Sequence, residues 1–186
     1  MSIPAHEAKS RLIEGNKRFI NATSNPGDVS LERRVDTLKN GQHPYAIVLC
    51  CSDSRQVPEA IFSAGIGELF VIRVAGNVVD SHQLGSIEYA AYHLDCKLVV
   101  VLGHNHCGAV EAAIKHDPDG HIKYITDDIR EAIKEEKDEY IATCLNVKHS
   151  VKVIEDNTDM KLLEEKGLEV IGAVYHLEDG HVEFLE

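Results

Sequence analysis

The sequence is poor in positive charge, in long apolar runs and in repetition. Lys and Arg number 19 against 31 Asp and Glu, a formal net charge of −12. That balance repels phosphate backbones and anionic lipid, so it argues against nucleic-acid and membrane-surface partners. The most apolar stretches, residues 45–51 and 98–102, fall far short of the roughly 20 residues of a membrane-spanning helix. The opening MSIPAHEAKSRLIEGN is charged at Glu7, Lys9 and Arg11 and has no apolar core of a signal peptide, which points to the cytoplasm. No repeat, low-complexity tract or linker divides the chain. The expectation is a single domain over 1–186, with an N-terminal helical arm at about 4–39. Apolar residues make up 44% of it, enough for a sizeable core.

Cysteine is present but odd in number: Cys50, Cys51, Cys96, Cys107 and Cys144. Five thiols cannot all pair within one chain, and disulfides are rare in the cytosol, so free thiols or metal ligands are the better reading.

Hydrophobic periodicity predicts helices near residues 4–21 and 30–38, the second opening on Ser30 as a cap. Continuous apolar runs at 45–51 and 98–102 read as strands buried on both faces, with a further strand at 69–74 between them. Helices are expected at 58–64, at 81–94 and from Cys107 onward. This alternation implies an α/β fold, with a central mostly parallel sheet of about four strands flanked by helices. Residues 127–139, with seven acidic and three basic side chains, read as a solvated helix. Helices at 140–156 and 160–166 and a strand at 168–176 follow. The turn signal Glu178-Asp179-Gly180 then predicts an edge hairpin strand at 181–185.

The two strongest strands end in metal-ligand side chains: Cys51-Ser52-Asp53-Ser54-Arg55 after the first, Gly103-His104-Asn105-His106-Cys107 after the other. Ligands of open parallel sheets bind at the carboxyl ends of the strands, so Cys51, His104 and Cys107 can meet. Cys50 and Cys51 point to opposite faces, so only one can serve. Two thiolates and an imidazole suit zinc, one ion per chain, and leave a fourth position open. Arg55 can hold Asp53 ionised and aimed at that position, where it could orient a water or itself become the fourth ligand in a closed state. Cys96 and Cys144 read as buried small hydrophobes.

These motifs resemble the zinc signature of the β-class carbonic anhydrases. The likeness extends to Glu14-Gly-Asn-Lys-Arg-Phe19, to 67–77, to Gly85-Ser-Ile-Glu-Tyr-Ala90 and to 101–110, and becomes loose after Asp117. It implies Cys51, His104 and Cys107 as zinc ligands, Asp53 and Arg55 as the catalytic pair, and a substrate pocket of Gln42, Phe70, Tyr89 and Gly108, partly from a neighbouring subunit. A homodimer is the least assembly it implies, with tetramers as the alternative. One bacterial subtype places a Trp three residues before the first cysteine ligand. Here Val48 stands there and the chain has no Trp, which favours the plant-like, open-site subtype.

The implied reaction is reversible hydration of carbon dioxide to bicarbonate and a proton, by attack of zinc-bound hydroxide. The runner-up is hydrolysis of carbonyl sulfide or carbon disulfide on the same fold. A non-catalytic zinc or bicarbonate-binding module would instead close the fourth position at every pH.

Overall fold

The computed structural model describes residues 3–21, 24, 27–116 and 120–186. Its sheet is built from β1 (Ala46–Cys50), β2 (Leu69–Arg73), β3 (Leu98–His104), β4 (Glu169–Tyr175) and β5 (Val182–Phe184), in the order β2-β1-β3-β4-β5. The first four strands are parallel, and β5 returns antiparallel on β4. The expected α/β sheet and its C-terminal edge strand are therefore both present.

Every residue of β1 and β3 is buried, because helices cover both faces. Alternation sorts their side chains. Ala46, Val48, Cys50, Leu98, Val100 and Leu102 meet α1 (Ala5–Asn21) and α3 (Pro58–Ile61). Ile47, Leu49, Val99 and Val101 meet α4 (Ser81–His93) and α7 (Glu139–Asp156). Each fully buried aliphatic side chain contributes roughly 1.5–3 kcal/mol, so these two strands anchor the domain. Helix α7 lies close against the sheet because Gly103 lacks a side chain. A Cβ there would stand 2.5 Å from Val147 Cγ2.

α2 (Leu31–Asn40) begins at Ser30, whose side chain accepts the Arg33 N–H as expected, yet it has no buried residue. Its Leu31, Val35 and Leu38 share one face and are exposed, Leu38 to 84%. The remaining helices are α5 (Gly108–Lys115), α6 (Ile122–Ile133) and α8 (Thr158–Glu164).

The acidic segment departs from expectation. Its helix, α6, starts at Ile122 and ends at Ile133 rather than running over 127–139. Lys134 turns out of it at φ 54°, and the Glu136 carboxylate accepts the N–H groups of Lys137 and Asp138. Acidic side chains that can bond their own backbone compete with helix, which is why charge pattern misplaced this boundary. β3 also continues two residues past the predicted end, so His104 belongs to the strand itself.

Candidate metal centre

The site lies where β1 and β3 release the chain. Cys51 follows β1, His104 is the last residue of β3, and Cys107 caps the N-terminus of α5. Their donor atoms all lie within 4.8 Å of one another, and all three residues are buried. Cys50 turns instead into the core beside α1, as strand alternation requires. The two ligand sulfurs are 4.0 Å apart.

The imidazole is prepared for a ligand. His104 Nδ1 lies 2.7 Å from the Asn105 carbonyl oxygen, an arrangement that places the proton on Nδ1 and leaves the Nε2 lone pair bare. That Nε2 is buried and has no hydrogen-bond partner among the described residues. A buried polar atom with no partner is costly, and a cation between two sulfurs would satisfy it. The donor set of two sulfurs and one nitrogen fits zinc.

The thiols titrate as a unit. The hydrogen bond from Cys107 pulls Cys51 down to about 4, against the cost of its burial, while the proton so shared pushes Cys107 up. The Cys51 sulfur also accepts the Gly76 N–H at 3.3 Å. Gly76 reaches that position at φ 68°, inside a turn at 75–77 that few residues other than glycine adopt. The turn is braced from α7: Asn146 Nδ2 donates to the Gly76 carbonyl at 2.8 Å, and Ser150 Oγ to that of Asn77 at 3.0 Å.

Asp53 Oδ2 stands 3.8 Å from His104 Nε2. Arg55 grips this carboxylate through Nε to Oδ1 at 3.0 Å and Nη2 to Oδ2 at 2.8 Å, and its backbone N–H adds a third bond at 2.9 Å. The guanidinium therefore holds Asp53 well below the usual carboxylate range, although partial burial opposes it. Arg55 Nη2 also donates to the His106 carbonyl at 3.1 Å, which ties the Cys51 loop to the Cys107 loop. Arg73, a residue the sequence did not single out, donates to the backbone oxygens of Cys51 at 3.2 Å and Asp53 at 2.7 Å.

The pocket residues are elsewhere. Phe70 is in register with Ile47, and Gln42 lies before β1 and is exposed. Ile47 lies four positions before Cys51, roughly 13 Å along a strand. Tyr89 joins Phe70, with ring centroids 6.1 Å apart, so these residues lie toward the amino end of the sheet rather than at the triad. Only Gly108 neighbours the triad, at the start of α5, where an added Cβ would meet nothing within 4 Å. His106 is exposed, 3.6 Å from Glu139, and His82 is exposed beside Asp80.

Fold and site together define an α/β protein with a cysteine–histidine–cysteine cluster at the carboxyl ends of its central strands. Residues 46–182 match the family model described as Carbonic anhydrase. A carbonic anhydrase of Mycolicibacterium smegmatis is 35% identical over 184 residues, covering 92% of this chain and 89% of that one. A Coccomyxa β-carbonic anhydrase, solved with acetazolamide, superposes with TM-score 0.76 at 27% identity, over 83% of this chain and 78% of that one. One of two tetrameric β-carbonic anhydrases of Sordaria macrospora gives 0.73 at 29%, over 83% and 87%. This chain belongs to the β-class carbonic anhydrase family, whose members are zinc lyases. No helix among the described residues is long and apolar enough to cross a membrane.

Proposed function

We propose that the protein catalyses the reversible hydration of carbon dioxide to bicarbonate and a proton, with zinc held by Cys51, His104 and Cys107. The observation that carries this reading is the buried, partnerless His104 Nε2 facing two sulfurs, with the Asp53 carboxylate 3.8 Å away. Zinc bound there supplies Lewis acidity, which makes water nucleophilic near neutral pH.

The chain's own residues then divide the work. Asp53, kept ionised by Arg55, accepts a hydrogen bond from the attacking water and aims its lone pair at the substrate carbon. Arg55 positions Asp53 and locks the two ligand loops together. The three bonds from Arg55 to Asp53 commit that carboxylate to its partner, so it would orient water rather than ligate a metal, which supports the plant-like reading. Val78 and Val110, buried beside Cys51 and Cys107, keep the surroundings apolar, which suits carbon dioxide better than water. Gly108 leaves room at the mouth.

Gln42, Phe70 and Tyr89 enter this scheme from a second copy of the chain. Their position at the far end of the sheet supports that assignment, as does the uncovered apolar face of α2. A short helix does not persist on its own propensity, so an apolar face of this kind calls for a partner. The tetrameric Sordaria proteins make a homodimer or higher homo-oligomer the natural expectation. Five free cysteines fit a reducing cytoplasm.

Stopped-flow carbon dioxide hydration by the wild type and by Cys51→Ser, with zinc measured in parallel, tests the reading. The variant should lose zinc and activity together. Full activity in a zinc-free variant would sink it.

A further inference from the structure

We infer that Gln56, which lies outside the donor triad, is a positioning residue that sets the spacing of the Cys51 and His104 segments; this rests on the zinc reading above. Gln56 is fully buried, and all of its amide hydrogen bonds go to the backbone at the two strand ends. Oε1 accepts the Cys51 N–H at 3.0 Å. Nε2 donates to the carbonyls of Leu102 at 3.2 Å and Gly103 at 3.0 Å.

The placement has a topological reason. On the outer sides the ladders continue through backbone groups, from Val74 N–H to the Cys50 carbonyl and from Asn105 N–H to the Tyr175 carbonyl. Between β1 and β3 the register stops at Cys50 opposite Leu102, because the chain must diverge there to open the site. The Gln56 amide is interposed where the next rung would fall. It holds the N–H of the first ligand and the carbonyl immediately before the second. A tight turn, from Gln56 N–H to the Asp53 carbonyl at 3.0 Å, brings the side chain back to this point. An apolar side chain of the same length would deprive the buried Cys51 N–H of this acceptor and the Leu102 and Gly103 carbonyls of this donor, and leave the two strand ends free to relax apart.

The test uses Gln56→Met, which keeps length and flexibility. Zinc affinity is read by chelator competition on wild type and variant, and cobalt is substituted to report the ligand geometry by its visible absorption. The expected result is a loss of about 10–100-fold in zinc affinity, the range for residues that orient metal ligands, with shifted cobalt bands. Unchanged affinity and an unchanged cobalt spectrum would overturn the inference while leaving the zinc site standing. A wild type that takes up no zinc would overturn the zinc reading and this inference with it. Should the variant not fold, hydrogen exchange on the wild-type apoprotein decides. The Cys51 amide is expected to be protected as strongly as that of Leu49, and fast exchange at Cys51 would refute the role.

Discussion

The two ends of the sheet differ in how complete they are. At the carboxyl end, Cys51, His104 and Cys107 are buried, and the loops that carry them are tied by Arg55 and Arg73. At the amino end, Phe70 and Tyr89 touch only each other among the pocket residues, and Gln42 faces solvent. One chain thus builds the donor set and its orienting carboxylate unaided. On the proposed function, the substrate-facing groups acquire a site only when a second copy presents them. Metal affinity is, on that proposal, a property of the protomer and turnover a property of the assembly.

The most severe way to break the protomer's half is to remove a donor. Cys107→Ser should bind little zinc and lower hydration to the uncatalysed background, checked by metal analysis and stopped-flow assay. Asp53→Asn should separate binding from chemistry. Zinc content stays at one per chain while kcat falls by about 10²–10⁴-fold, the usual worth of a positioned acid–base group. The amino end is tested through its partner. Leu38→Asp places a charge on the exposed apolar face of α2. Sedimentation should show a smaller assembly, with reduced kcat/KM and zinc content unaltered. A monomer of full activity would show that the distant aromatics play no part.

The smallest effect concerns pH. Asp53 has a depressed pKa, so it is ionised throughout the neutral range, and what it contributes to stability is lost only as pH falls below about 4. If Cys51 and Cys107 held zinc as thiolates they would offset its charge, and a water there would keep a pKa above the value of about 7 typical beside three neutral histidines. Hydration should therefore rise severalfold from about pH 6 to about pH 9. A flat profile would contradict that assignment of roles.

The sequence made the carboxyl end largely legible, because its chemistry resides in residue types with few other uses. Cys51, His104 and Cys107 stand at the ends of runs that could only be buried strands, and Asp53 with Arg55 follows at once. The amino end was legible only through family resemblance, since a loop glutamine and two aromatics carry no pattern of their own. The supports were not legible at all. Arg73 reads as an ordinary residue at the end of a strand. Gln56, Asn146 and Ser150 are polar residues whose burial depends on which backbone groups the strands leave unpaired, which is decided in three dimensions. The acidic stretch was helical as expected only as far as Ile133, for a related reason. Its charges suggested a solvated helix, but Glu136 satisfies the backbone outside one.

The central claim concerns the donor set, and zinc-edge X-ray absorption on the purified protein tests it most directly. The account predicts two sulfur scatterers at about 2.3 Å and one imidazole at about 2.0 Å, with one sulfur scatterer fewer in whatever zinc Cys51→Ser retains. A zinc environment of nitrogen and oxygen alone, or one unchanged by that substitution, would contradict it.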